Sequence, residues 1–482
     1  MPELRPYQPP AIRFLTNRYP KLPGSGFWLG CGLGKTAVVL HAIDEIRDWR
    51  KIKRTVVVAP AKVIATSWPK EISKWGLDLS YDILNTHTWD DAIRSSCDIL
   101  FVSAEDLALR QLAEDVKSKR RNPQLAERIE LSKFDLRADL LVVDEITKFK
   151  NWTAARTKVL RKLAAKVRHR VTLTGSPTPN CLGEVFSQHY ILDRGQTLTP
   201  YIGHFRDKYM RNCGFENRGW EMRPEMVQPL LDTLRPWYMC QEAIDHLDMP
   251  ELIENIVDVQ LPPAAMAKYK KMEKEMYAEL DGGDTVTALS GGSRYNYCRQ
   301  MASGCTYTDD DGSAIVHKAK VEKLKDIIEE LQGKPLLVAY WYHHEGDLLA
   351  SEIPGAVVVN GSTSSSKLVS IIAKWQKGEI PVMIAQASSI SHGIDGLQQG
   401  CNNLCWFTLS DNPDVVHQLT CRVYRQGNDG NSVVMHFLMA EGTIDRKVLR
   451  AYKAKAKNQS EVLAYIKSAV DGTPDSRYIG ST

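Results

Sequence analysis

Leu141-Val142-Val143-Asp144-Glu145-Ile146-Thr147-Lys148-Phe149-Lys150-Asn151 is an apolar run that ends in two adjacent carboxylates and a basic tail. Such a run predicts a buried strand that delivers its acids to the C-terminal edge of a parallel sheet, where open α/β sheets keep their ligands. Upstream, Gly32-Leu33-Gly34-Lys35-Thr36 supplies a glycine-rich turn with a lysine and a hydroxyl. The two segments are the two halves of a nucleoside-triphosphate site. Backbone N–H groups of the loop cradle phosphates, Lys35 reaches the β/γ oxygens, and Thr36 with Asp144 holds Mg²⁺. Glu145, beside the metal, is then placed to orient or deprotonate the attacking water.

Working outward, the rest of the chain repeats one grammar twice. Short β-branched runs alternate with longer helical patterns, as in a parallel sheet with crossover helices. In the first half the expected strands are Thr55–Ala59, Ile99–Val102, Leu140–Val143 and Val171–Leu173, with helical patterns at Thr36–Arg47 and Val63–Trp75. In the second they are Leu336–Ala339, Ala356–Val359, Val382–Ala385, Leu404–Phe407 and Val433–Leu438, with helices at Lys318–Leu331 and Lys367–Lys377. Only the first copy carries a phosphate loop. Residues 185–315 read differently: few β runs, many aromatics, a charged helical stretch at Pro263–Leu280, and a glycine-rich break over 281–293 expected to be partly mobile. Residues 110–138, with Lys117-Ser118-Lys119-Arg120-Arg121, read as a surface insertion whose basic run suits either a phosphate backbone or a solvated helix face. The expected organisation is therefore a first α/β domain over 1–184, a helical insertion and linker over 185–315, and a second α/β domain over 316–482.

Composition sets limits around that organisation. A chain of 482 residues is long enough for two or three domains. With 43% hydrophobic and 25% charged residues it falls in the globular class, and no apolar run approaches a membrane span. Sixty-two basic against 58 acidic residues give +4, which permits a local nucleic-acid groove without arguing for one. The N-terminus, Met1-Pro2-Glu3-Leu4-Arg5-Pro6, lacks a signal peptide's apolar core. Ten scattered cysteines are expected to be reduced, in a soluble intracellular protein. Cys401 with Cys405 and Cys298 with Cys305 are not CxxC pairs, so buried thiols are expected rather than zinc. His343-His344 reads as a polar step at a strand end.

A γ-phosphate that gathers charge needs a cation from the opposite side. Gln418-Leu419-Thr420-Cys421-Arg422-Val423-Tyr424-Arg425-Gln426-Gly427 offers two arginines three apart, which on one helical turn face the same way. On spacing alone, a surface helix with ordinary arginines fits equally well.

The order of these pieces resembles a superfamily 2 helicase-type ATPase of the Swi/Snf DNA-translocase branch, in a compact bacterial or phage form, from Leu4 to about Arg450. Leu4-Arg5-Pro6-Tyr7-Gln8 resembles the branch's opening signature, which assigns adenine reading to Gln8. Gly32–Thr36 is similar to motif I, and Val58-Ala59-Pro60 with Trp68–Trp75 to motif Ia, implying DNA-backbone contacts near Pro60–Lys62. Asp144–Asn151 matches the branch's extended motif II, and Leu173-Thr174-Gly175-Ser176-Pro177-Thr178-Pro179-Asn180 resembles motif III. Ser103-Ala104-Glu105 lies at motif Ib and Asn360-Gly361-Ser362-Thr363 at motif IV. His392-Gly393-Ile394-Asp395-Gly396-Leu397-Gln398 resembles motif V, Asn412–Gly427 motif VI, and Glu441-Gly442-Thr443-Ile444-Asp445 the segment that closes the second domain. Arg422 and Arg425 inherit the finger roles.

The resemblance implies two RecA-like domains, ATP with Mg²⁺, and DNA, duplex or branched, as the partner, with replication or recombination proteins as further partners. It implies a motor that hydrolyses ATP in the cleft between its domains to move along duplex DNA. A strand-separating, fork-remodelling or annealing helicase is the alternative, and an ATP-gated DNA-binding switch is the alternative of another class. A catalytically dead scaffold is disfavoured by the intact Lys35, Asp144, Glu145, Arg422 and Arg425. Departures from the pattern are Thr147 where histidine is usual, Ile146 for a small residue, Leu29 at the strict Walker glycine, Ser391-His392 for a glycine pair, and Tyr424 for histidine. With Thr147, coupling of hydrolysis to motion is expected to use its hydroxyl or to be weaker. Trp68 and Trp75 read as one apolar helix face rather than as DNA-stacking groups. Tyr340, Trp341 and Tyr342 read as core more than as a base platform.

Overall fold

A computed structural model describes residues 2–50, 52–84, 91, 94–107, 136–213, 219–279, 285–391, 396–428 and 430–467. The chain divides into two compact units, one of residues 1–246 with 457–482 and one of residues 247–456.

The first unit is built on a parallel sheet. Its strands in chain order are β1 (Gly24–Leu29), β2 (Thr55–Ala59), β3 (Tyr81–Leu84), β4 (Ile99–Ser103), β5 (Leu140–Asp144) and β6 (His169–Thr174). A hairpin of β7 (Met210–Cys213) and β8 (Gly219–Met222) follows, and then β9 (Tyr238–Gln241). The sheet order is β3-β4-β2-β5-β6-β1-β9, every pairing parallel. β2, β4 and β5 are mainly β-branched and aliphatic and buried from end to end, as strands covered by helices on both faces must be. Register sets Val58 beside Val143 and Asp144 beside Leu173, so the acids leave the sheet at its C-terminal edge.

β1 carries no β-branched residue, and its sequence, Gly-Ser-Gly-Phe-Trp-Leu, gives no strand signal. Its glycines answer to packing. A Cβ on Gly26 would sit 2.2 Å from the Tyr238 ring, which stacks on Trp28 with centroids 4.2 Å apart. β1 therefore lies flush against β9, and that contact helps hold the phosphate-loop strand in register.

The second unit has its own parallel sheet. Its strands begin with β10 (Glu251–Val259), followed by two hairpins, β11 (Tyr277–Glu279) with β12 (Thr285–Thr287) and β13 (Cys305–Tyr307) with β14 (Ser313–Ile315). Then come β15 (Leu336–Tyr340), β16 (Val357–Val359), β17 (Val382–Gln386), β18 (Asn403–Trp406) and β19 (Ser432–Ala440). The sheet order is β10-β19-β18-β15-β17-β16, again all parallel. Trp375, Trp406 and Phe437 fill one of its cores. The five strands expected here all form, each within a residue or two of its expected ends.

Residues 185–315, expected as a helical insertion and linker, divide between the two units. They supply the edge strand β9 to the first sheet and β10 to the second. The charged stretch is a helix only over Pro263–Glu275, ended by Met276 at φ 60°, and β11 follows it. Ser290-Gly291-Gly292-Ser293, read as a break, is the start of a helix, Gly291–Ser303. The Ser290 hydroxyl caps it by accepting from the Ser293 N–H, which supplies the start that two glycines alone disfavour. The basic run Lys117–Arg121 and Asp281-Gly282-Gly283 lie outside the described residues. No helix among the described residues is long and apolar enough to cross a membrane.

The closing segment of the second unit is held by a buried ion pair. Lys320 Nζ lies 2.7 Å from Asp445 Oδ2 and donates to the Phe407 carbonyl at 3.1 Å. Asp445 also accepts from the Ala440 N–H, while Thr443 Oγ1 donates to the Ala440 carbonyl at 2.7 Å. β19, the turn after it and the helix Ala319–Glu330 thus meet on one charge pair. Removing one partner leaves a buried charge without its counter-ion, so Lys320→Met should lower stability by about 3–5 kcal/mol. Lys320→Met combined with Asp445→Leu should recover much of that loss. Chemical denaturation of the single and double variants of the full chain checks both expectations, and additive losses would contradict them.

Candidate nucleotide site and motif residues

The glycine-rich turn joins β1 to the helix Lys35–Arg50. Gly32 and Gly34 adopt φ of 84° and 74°, the left-handed region that only glycine enters without strain. A Cβ on Gly34 would also fall 2.5 Å from Gln8 Nε2. Gln8 is thus seated against the loop: its Nε2 donates to the Leu33 carbonyl at 3.3 Å and its Oε1 accepts from the Arg5 N–H at 2.9 Å. Leu29, where a strict Walker loop has glycine, is the buried last residue of β1. Gly30 makes the close approach instead, its N–H donating to the Gln241 carbonyl at 2.8 Å. The Lys35 ammonium bends back onto the loop and donates to the carbonyls of Leu29 at 3.0 Å and Gly30 at 3.5 Å.

Asp144 ends β5 almost wholly buried. Burial pushes its carboxyl above the ordinary aspartate range, and the nearby Lys35 charge is the largest effect in the other direction. Each oxygen takes a different donor: Trp68 Nε1 to Oδ2 at 3.1 Å, and the Glu145 N–H to Oδ1 at 3.0 Å. Glu145 itself sits at φ 51°, ψ 56°. A non-glycine residue is held in that region only by its surroundings, and such positions cluster at functional sites.

β6 runs between β1 and β5, so motif III emerges between the loop and the acids. At Gly175 a Cβ would lie 3.5 Å from Lys35 Nζ. Motifs II and III are joined through a residue that the sequence did not flag. Glu184 forms an ion pair with Lys150 at 3.0 Å and accepts from both the side chain and the backbone N–H of Asn180. The Thr147 hydroxyl, expected as a coupling group, is buried without a hydrogen-bond partner among the described residues. Among the described residues the contact between motifs II and III thus runs through Glu184 and not through the Thr147 hydroxyl. Lys148 pairs with Glu105 of motif Ib at 3.6 Å.

Two residues of weight escaped the sequence, Glu184 and Trp68. Trp68 does lie on the apolar face of its helix, buried against Phe101 as expected. Nothing in that pattern marks where its indole N–H points.

In the second unit the motif IV turn is closed by its own side chains: Asn360 Oδ1 accepts from Ser362 N–H and Oγ, and Thr363 Oγ1 from the Asn360 N–H. Of motif V, residues 392–395 lie outside the described residues. Arg422 stands in the last turn of the helix Pro413–Val423, and its Nε donates to the Ser391 carbonyl at 3.3 Å. Arg425 does not share that helix, contrary to the one-turn expectation. Tyr424 leaves helical geometry at ψ 86°, and the Asn428 side chain takes the Val423 carbonyl that a further turn would have used.

The Cys401 and Cys405 thiols are buried and pushed up to about 12 by desolvation, and Cys401 donates to backbone carbonyls of Pro335 and Asn403. His344 is buried and stacks on Tyr342, and Tyr340 lies in the core.

The first unit's residues fit a magnesium triphosphate. An ionised carboxylate offers about four lone-pair sites, and the Trp68 and Glu145 donors to Asp144 fill one on each oxygen, leaving room for a hard cation. A lysine, a positive-φ glycine loop and a helix N-terminus beside it supply the anion half.

Residues 7–305 match the SNF2-related domain. Protein p41 of Acyrthosiphon pisum secondary endosymbiont phage 1 is 27% identical over 96% of this chain and 98% of its own length. The ATP-dependent helicase/translocase YwqA of Bacillus subtilis is 24% identical over 92% of this chain, and the DNA annealing helicase and endonuclease ZRANB3 of Mus musculus is 24% identical over 92%. The chain spans nearly the whole phage protein but only 47% and 40% of the latter two. With a matching domain over more than half its length and a glycine-rich lysine loop and an acidic pair on one sheet edge, the chain belongs to the SNF2-related family of helicase-type ATPases.

Proposed function

We propose that this protein is an ATP-driven motor that travels along double-stranded DNA. The observation that carries the chemistry is the meeting of Lys35, Asp144 and Glu145 at the end of one parallel sheet. The track is supported by relatives whose names include translocase and DNA annealing helicase. In this reading the loop amides of Gly32, Leu33 and Gly34 and the Lys35 ammonium bind the phosphates, and Gln8 reads the adenine. Thr36 and Asp144 would hold Mg²⁺, which when bound offsets charge on the phosphate oxygens. Glu145 orients and deprotonates water, and Arg422 and Arg425 supply the opposing positive charge. The name of the murine relative favours a second reading, remodelling or annealing of branched DNA by the same motor.

Lys35→Ala should abolish turnover, because the phosphate-reaching charge is lost. Glu145→Gln should bind ATP and fail to hydrolyse it; near wild-type turnover in that variant would remove Glu145 from the role of base. Arg422→Ala or Arg425→Ala should slow hydrolysis about a thousandfold for the principal finger, with ATP affinity far less affected. Since Arg422 is anchored on the helix and Arg425 lies beyond it, the two losses should be unequal. Normal turnover in both would make them ordinary surface arginines.

The track is tested by comparing ATPase rates with no nucleic acid, duplex DNA, single strands, forks and RNA. Duplex should stimulate in a length-dependent way, binding should weaken steeply with salt, and RNA should stimulate poorly. Displacement of a third strand should accompany turnover while unwinding of a tailed duplex is weak. Stimulation by single strands alone, with robust unwinding, would reject translocation on duplex in favour of strand separation.

A further inference from the structure

A carboxylate's terminal torsion is broad, so rotamer wells do not fix how its two oxygens point. At Asp144 two donors do so, one on each oxygen. The Glu145 N–H is fixed by the backbone at the strand end. The other, Trp68 Nε1, comes from a side chain on a different element, the helix Ala61–Trp75, and reaches Oδ2 at 3.1 Å from a site with no exposed surface. Phe101 of β4 flanks the indole with ring centroids 5.8 Å apart. The ring therefore cannot swing away without opening the core between the helix and the sheet.

We propose that Trp68 is a positioning residue for the metal-site carboxylate, its indole N–H setting the rotation of Asp144 and hence how tightly the site takes Mg²⁺ with nucleotide. The inference rests on the reading of Asp144 as a metal ligand given above. A buried indole N–H needs some acceptor, so a purely structural role is the competing account. The two differ in what they change. If the bond only satisfies the indole, its loss costs stability and leaves the cation dependence alone. If it orients the carboxylate, its loss raises the Mg²⁺ requirement, as removal of a group that orients a ligand commonly does by about 10–100-fold.

The test measures Mg²⁺-dependent binding of a fluorescent ATP analogue to the full chain by anisotropy, with no turnover required. Trp68→Phe removes the N–H and part of the ring, and site-specific benzothienylalanine at 68 removes only the N–H while keeping the two-ring shape. Phe101→Leu serves as the packing control, since it loosens the same pocket and leaves the N–H in place. The benzothienylalanine protein should need about tenfold more Mg²⁺ for half-maximal binding. Trp68→Phe should match it, while Phe101→Leu stays at the wild-type value even where it lowers the melting temperature. A wild-type Mg²⁺ requirement in the benzothienylalanine protein overturns the proposal, as does an equal shift in Phe101→Leu. Asp144→Asn distinguishes the two levels of the reading. If it binds with wild-type Mg²⁺ dependence, the metal-ligand assignment falls and the Trp68 proposal with it. If Asp144→Asn is defective and the Trp68 variants are normal, the Trp68 proposal alone fails.

Discussion

Placing an ionisable carboxyl at the buried end of a parallel strand is costly, and much of the first unit is arranged to hold Asp144 there. Desolvation raises its proton affinity, and the Lys35 charge, the Trp68 indole and the Glu145 amide oppose that rise. Of the three only Glu145 is adjacent to Asp144 in sequence, and its own backbone is held at positive φ. The parallel sheet brings the others in. β5, β6 and β1 lie side by side, so loop, motif III and acids open on one edge. Without β1 two places from β5, the acid would lie buried without the lysine that tempers it.

The second unit has the same sheet plan and a different use of charge. Its buried carboxylate at Asp445 is paired with Lys320, and the pair ties helix, strand and turn together. The buried Glu345 likewise spends its oxygens on the N–H groups of Trp341 and Tyr342 and on the Thr408 hydroxyl. In the first unit the acid at the sheet edge takes one donor on each oxygen, the Trp68 indole and the Glu145 amide.

The sheets were legible wherever burial on both faces demands β-branched runs, as at Thr55–Ala59 or Leu336–Tyr340. They were not legible where another force sets the residue. β1 is glycine-rich because Tyr238 lies against it, a contact more than two hundred positions distant in sequence. β10 is a half-exposed edge whose Glu254 and Asp258 pair with Lys453 and Arg446, so its alternation is masked by charge. With β9 and β10 unseen, residues 185–315 read as an insertion although they close an edge of each sheet. At the site, motif order pointed to Lys35, Asp144 and Glu145. Spacing could not reveal Glu184 or the indole of Trp68, since both act through groups that only the tertiary fold brings near. The shared helical turn of Arg422 and Arg425 failed for a local reason, the Asn428 side chain competing for the last helical carbonyl.

Trp68 also gives the helix Ala61–Trp75 a meaning beyond packing. The helix starts directly after β2 at Pro60, with Lys62 exposed at the end where the family resemblance implies a nucleic-acid backbone. Two turns later the same helix holds the Asp144 carboxylate through Trp68. Pro69 follows immediately and can donate no N–H to the Ala65 carbonyl, so the helix is weakest beside that grip.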